Sequence, residues 1–223
     1  MKKQVFSFLL ALVLVVMMIP LTVSAADTDV AKIGNVSYAS LADAINAATD
    51  GQTVEVLKDC DLAGVTISKN ITVKATEGLA ARPKIAASAS IVPGENSTIT
   101  FEGIEVDSTK NAFDIQTATN LTLKNCKVDT VGWYCLFINS HDVVVNIIGG
   151  EYRCDYSVIF FGAAMPKTDA KIIVNITGGA ELTQYAHANG QYAVISNNNG
   201  KSNVEINVEN STLAVLAPAG APE

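Results

Sequence analysis

A chain of 223 residues with 22 acidic and 15 basic side chains carries a formal charge of −7, and only Arg82 and Arg153 supply guanidinium groups. Such a balance suits neither phosphate backbones nor base edges, which sets nucleic acid aside as a partner. Hydrophobic residues make up 49% of the chain and aromatic ones 6%, enough for one domain with a mostly aliphatic core.

The first 25 residues read as an export signal. Lys2 and Lys3 form a basic start, Phe6 to Ile19 an apolar run, and Val23-Ser24-Ala25 a small-residue cleavage site. Removing them leaves about 198 residues and, without Lys2 and Lys3, a formal charge of −9. No later segment reaches membrane-spanning length, so the expected address of the mature chain is secreted or cell-surface. Four cysteines, Cys60, Cys126, Cys135 and Cys154, then fall in a compartment where disulfides form. Their spacing fits no metal motif and sets no pairing.

Residues 26–216 form the expected domain. It opens with one short amphipathic helix near 40–49: Leu41, Ala44, Ile45 and Ala48 fall at helical spacing, Ser40 caps the first turn with Asp43 three residues on, and Gly51 ends it. Alternating strands follow at Thr53–Leu57 and Ile71–Ala75.

Beyond Ile99 the chain repeats itself. Ile99-Thr-Phe-Glu-Gly-Ile-Glu-Val106 returns 22 residues later as Leu121-Thr-Leu-Lys-Asn-Cys-Lys-Val128, again as Val145-Asn-Ile-Ile-Gly-Gly-Glu-Tyr152, and in weaker copies at Val174–Leu182 and Ile206–Val215. A strand-sized unit at this period predicts a solenoid, in which neighbouring coils bury one another's apolar faces. Superposing the copies turns Ile99, Leu121 and Val145 inward with Phe101, Leu123 and Ile147, and puts the corner at Gly103, Asn125 and Gly149. Ile104, Cys126 and Gly150 face in after the corner, as do Val106, Val128 and Tyr152. Cys126 thus stands where Ile104 stood, as a small buried hydrophobe. Two outward columns result, Glu105-Lys127-Glu151 and Asp107-Asp129-Arg153, the first alternating in sign.

Successive corners, continued at Gly178 and Asn210, drift apart, and the added residues have homes in loops at 162–169, 186–191 and 196–202. Six sequons, at Asn35, Asn70, Asn96, Asn120, Asn175 and Asn210, read as corner and strand-start residues rather than as glycan acceptors.

The segment AKIGNVSYASLADAINAATDGQTVEVLKD, with the later units KNITVKA and NLTLKNCKV, resembles the pectin-lyase-like, right-handed parallel β-helix domains of bacterial cell-surface and secreted proteins. The resemblance covers most of residues 30–216. It implies an all-β solenoid, a right-handed parallel β-helix whose short N-terminal α-helix closes the first coil. It implies no one function, because the fold hosts lyases, hydrolases, adhesins and tail spikes alike.

Lyases of this fold hold calcium on stacked acids and abstract a proton with a basic residue, which makes Asp107, Asp129 and Arg153 the catalytic candidates. Calcium wants six to eight oxygens, only two acids align, and no further acid is expected in that column; Arg153 is expected to offset Asp129. The hydrolase strings, paired aspartate motifs with His-Gly and Arg-Ile-Lys, do not occur. His141 sits in a corner and His187 in a loop, neither beside a nucleophile, and no phosphate loop or metal-binding His/Cys pair is present. Trp133, Tyr134, Tyr156, Tyr185 and Tyr192 gather in the later coils; the first four are the candidate ligand-binding residues, for carbohydrate or a host or cell-surface ligand.

The reading is therefore a non-catalytic, adhesin-like secreted or cell-surface module that binds glycan, without cofactor. One alternative is a carbohydrate-active lyase or hydrolase, for which calcium would be the cofactor; another is a structural spacer. At the far end the Ala/Pro run 217–223 cannot extend a ladder, so Val208, Leu213 and Val215 are expected at an open edge. That edge would lead into further domains or self-association.

Overall fold

The computed structural model describes residues 28–162, 171–185, 193–198 and 203–216. The expected export signal, the Ala/Pro run, His187, Tyr192 and most of the expected loop insertions lie outside them. Ser196 and Asn197, expected in a loop, instead end a strand. Among the described residues no helix is long and apolar enough to cross a membrane.

Period-two alternation governs the strands. Ile99 and Phe101 are buried while Thr98 and Thr100 point out, and the same holds for Leu121 and Leu123, then for Val143, Val145 and Ile147. A strand with one apolar side can hide it only against other strands curling round the same axis, and three faces do so. The first is a nine-stranded sheet ordered β2 (Val36–Tyr38), β1 (Ala31–Ile33), β3 (Thr53–Val56), β6 (Ile71–Ala75), β9 (Ser97–Glu102), β12 (Thr119–Lys124), β15 (Val143–Ile148), β18 (Lys171–Thr177) and β21 (Asn203–Val208). The second has seven strands: β4 (Cys60–Leu62), β7 (Lys84–Ala87), β10 (Glu105–Ser108), β13 (Lys127–Thr130), β16 (Glu151–Cys154), β19 (Glu181–Tyr185) and β22 (Thr212–Leu216). The third has four: β11 (Phe113–Ile115), β14 (Leu136–Ile138), β17 (Ile159–Phe161) and β20 (Ile195–Asn197). Below it the pair β5 (Thr66–Ile67) and β8 (Val92–Pro93) continues the same face through an Ile91–Phe113 bridge. Consecutive coils pair in parallel on every face, and among the described strands only β1 pairs antiparallel, with β2 and β3. The chain is an all-β parallel β-helix.

The expected register holds. Ile99, Leu121 and Val145 are rung partners, as are Phe101, Leu123 and Ile147, and Val106, Val128 and Tyr152. All five corner residues take positive φ: Gly103 (67°), Asn125 (49°), Gly149 (64°), Gly178 (69°) and Asn210 (48°), a region open to glycine and tolerated by asparagine. Gly150, placed inward with Ile104 and Cys126, contributes no side chain there for a reason: a Cβ on it would lie 2.1 Å from the Cys126 carbonyl oxygen. Cys126 is fully buried, and burial pushes its thiol up to about 11.

Helix α1 (Leu41–Ala47) seats Leu41, Ala44 and Ile45 on the first coil. Ser40 Oγ accepts from the Asp43 amide at 3.0 Å and donates to the Asp43 carboxylate at 2.7 Å, which fixes where the helix starts. The opposite end is open among the described residues: Ile206, Val208, Leu213, Val215 and Leu216 are all exposed.

Outward columns tie the coils together. Lys127 Nζ meets Glu105 at 2.8 Å within the expected ladder. A longer alternating one, Lys32-Glu55-Lys74-Glu102-Lys124, runs up the nine-stranded face, with ion pairs of 3.3 Å at its foot and 2.8 Å at its top. Beside it Asn207 donates to Asn175, Asn175 to Asn146 and Asn146 to Thr122. The sequon residue Asn175 is thus a rung of an amide ladder, and Asn96 and Asn210 hold left-handed corners.

Candidate functional site

Where the chain turns from the seven-stranded to the four-stranded face, successive coils bring their aromatic residues to one corner. Trp133 and Tyr134 lie between β13 and β14, and Tyr156 lies in the equivalent turn between β16 and β17. Tyr185 ends β19 one coil further on and is exposed. Two rings that sequence reasoning missed complete the group. Phe137 and Phe160 are rung partners on the outer side of the four-stranded face, because their neighbours Leu136, Ile138, Ile159 and Phe161 take the inward positions.

Tyr134 stacks on Phe160 with centroids 4.3 Å apart and on Phe137 at 5.8 Å, both at 19° between planes. Phe137 and Phe160 are 5.8 Å apart and nearly parallel, and Tyr156 leans against Tyr134 at 5.8 Å. Trp133 stands out from this stack, 40% exposed, with Lys110 Nζ 5.3 Å from its ring centroid, at cation–π distance. The Gly132 amide donates to the Asp155 carboxylate at 3.0 Å, tying the Trp133 turn to the Tyr156 turn above it.

A polar row borders the rings. Asp114 occupies the rung below Phe137, and its carboxylate accepts from Gln116 Nε2. Gln116 Oε1 in turn accepts from Asn139 Nδ2 at 3.0 Å. Burial raises the Asp114 carboxyl above its ordinary value, against hydrogen bonds from Gln116 and Asn111 that pull it down. The rung above Asn139 is Gly162, where a Cβ would come within 2.5 Å of Asn139 Oδ1 and 3.1 Å of the Phe137 ring. Glycine keeps amide and ring side by side. Stacked aromatic surface edged by planar donors and acceptors suits a ligand with an apolar face and a hydroxylated rim.

The acidic column lies on the seven-stranded face. Asp107, Asp129 and Arg153 are consecutive rungs as expected, and two of them find partners outside the column. Arg153 Nη2 donates to Glu151 in its own strand at 2.8 Å and still offsets the Asp129 charge through space, as expected; a long guanidinium stem reaches its same-face neighbour two residues away as easily as the next rung. Asp107 is held by Lys84 Nζ at 2.6 Å. The Asp129 carboxyl is raised, first by burial and then by Asp107 and Glu105, with Lys127 and Arg153 opposing. A further acid does join the column: Asp61 sits two rungs below Asp107, with Ala86 between. The short alanine opens a trough of ≈ 550 Å³ lined by Asp61, Ala63, Ala86, Ser88, Asp107 and Thr109. Two rungs, roughly 10 Å, is too far for both carboxylates to hold one cation. No group of three or more His, Cys, Asp or Glu side chains suited to a metal occurs among the described residues. His141 Nδ1 lies 2.9 Å from the Asp142 carboxylate in its corner.

Comparison with protein-family models, with curated proteins and with solved structures yields no match.

Proposed function

We propose that this chain is an exported β-helix module of the pectin-lyase-like kind, adhesin-like, which binds carbohydrate at the aromatic corner without cleaving it. The observation that carries the reading is the half-exposed group Tyr134, Phe137, Tyr156 and Phe160, bordered by Asp114, Gln116 and Asn139 and flanked by the exposed Trp133. A sugar offers an apolar ring face for stacking and hydroxyls for planar amide and carboxylate groups. The strands behind the site are hydrogen-bonded to neighbours on both sides, which limits the ordering needed on binding.

The trough beside Asp61 and Asp107 favours one second reading, a lyase or hydrolase. Against it weigh the ion pairs: the base such a lyase would use, Arg153, is engaged by Glu151, and Asp107 is engaged by Lys84.

A glycan array probed with the purified chain tests the binding reading, and saturable binding to one glycan class is the expected result. Incubation with pectate and Ca²⁺ separates the two readings. Unsaturated product absorbance that disappears in Asp129→Ala would establish the enzyme and overturn the proposal.

A further inference from the structure

Directly under the aromatic corner, inward positions of two adjacent coils bring Thr130, Cys135 and Cys154 together. Thr130 and Cys154 are rung partners, and Thr130 Oγ1 lies 3.8 Å from Cys135 Sγ. Cys135 Sγ is 3.2 Å from the carbonyl oxygen of Arg153, the residue joined to Cys154, and both cysteines are free thiols in this structure. Both are fully buried. The other two thiols stand elsewhere: Cys126 is at the corner between the first and second faces, against the Phe101 and Lys124 carbonyls, and Cys60 is on β4 in the first coil. The fold therefore brings one pair into adjacent turns where the spacing of four cysteines selects none.

We propose that Cys135 and Cys154 form a disulfide that staples two adjacent coils beneath the ring cluster. Cys135 directly follows Tyr134, and Cys154 lies two residues before Tyr156, so the bond sets the separation of the two turns whose rings meet at 5.8 Å. It is a preorganising link for the binding corner as well as a staple of the solenoid.

The bond needs an oxidant, so its presence in the cell rests on the exported reading. The class of reagent is a low-molecular-weight disulfide such as oxidised glutathione. One cysteine thiolate attacks a sulfur of that disulfide and expels the first thiol. The second thiolate attacks the resulting mixed disulfide and expels the second; the protein loses two protons and two electrons, and the oxidant leaves as two thiols. Burial closes both sulfurs off from solvent and holds the Cys135 thiol well above its ordinary range. Exchange accordingly takes place as the coils assemble, and the finished bond resists reductant until the chain opens.

The test supplies its own oxidant and reads no glycan, so its outcome is independent of carbohydrate binding. The full chain is refolded in a mixture of reduced and oxidised glutathione, denatured, alkylated and mapped without reduction. The expected result is a mass lower by two hydrogens, one crosslinked peptide pair joining Cys135 to Cys154, and alkylated Cys60 and Cys126. Cys126→Ala should keep the same link. The melting temperature of the oxidised chain should exceed that of the reduced chain by roughly 6–12 °C, as for a bridge closing a loop of about 20 residues in a domain of this size. A refolded chain with native circular dichroism and four alkylatable thiols, or a bridge between any other pair, overturns the proposal.

Discussion

Two outer faces of this solenoid are built on the same scaffold and differ in what they leave available. On the nine-stranded face the outward columns close on themselves: Lys32 to Lys124 alternate in sign, and Thr122, Asn146, Asn175 and Asn207 pass hydrogen bonds from coil to coil. On the four-stranded face the outward positions hold rings, and an indole at the corner stays 40% exposed. Polar ladders need no partner beyond the chain, whereas stacked rings with a hydrogen-bonding border keep apolar edge and directional groups in contact with solvent. The first arrangement is suited to holding coils together and the second to holding something else.

If this contrast is right, substitutions on the two faces should separate binding from stability. The largest effect is expected from Tyr134→Ala, which removes the ring that meets Phe137, Phe160 and Tyr156. Affinity for the array-selected glycan should fall at least about tenfold, or about 1.4 kcal/mol, measured by isothermal calorimetry with an unchanged far-ultraviolet spectrum. Asn175→Ala should do the reverse. Breaking two rungs of the amide ladder should lower unfolding free energy by about 1–2 kcal/mol in urea titration, with no change in glycan affinity.

A smaller loss, on the order of 1 kcal/mol, is expected from Lys127→Glu, which replaces the 2.8 Å contact to Glu105 with repulsion from both neighbouring rungs. The loss should shrink in salt, and a salt-independent melting temperature would show that the column does not act through charge.

The smallest effect concerns pH. The folded Asp114 carboxyl is raised above 3.8, chiefly by burial. The folded chain therefore takes up this proton at higher pH than the unfolded chain, and the group contributes stability that grows as pH falls through the range just above 3.8. Asp114→Asn should raise the melting temperature slightly at neutral pH and reduce that acid-side gain. Asp129, raised in the same direction, should preserve part of it.

How far the sequence reached depends on periodicity. Where copies repeat at 22 and 24 residues, corners, rungs and outward columns were all legible from Ile99 to Arg153, since a one-residue slip would have turned every apolar side chain outward. The Lys32–Lys124 ladder was not, because its early rungs sit in coils of other lengths. Phe137 and Phe160 were hidden for another reason. They interrupt Leu136-Phe137-Ile138 and Ile159-Phe160-Phe161, wholly apolar triplets in which no polar residue marks the outward side. Trp133, Tyr134 and Tyr156 were legible as aromatics and invisible as neighbours, because only the stacking of turns brings them together. The Arg153–Glu151 pair was out of reach, since a long guanidinium stem can turn to the acid on its own strand or to the one on the next rung.

Trp133 is the only tryptophan in the chain and stands at the edge of the ring cluster, so its emission reports on this corner alone. Titration with the strongest glycan from the array should give a saturable shift or quench of that emission, with the midpoint found by calorimetry, and the midpoint should move to higher concentration in Tyr134→Ala. A glycan that binds by calorimetry while Trp133 emission stays flat, or binds Tyr134→Ala as tightly as the unaltered chain, would contradict the assignment of carbohydrate to this corner.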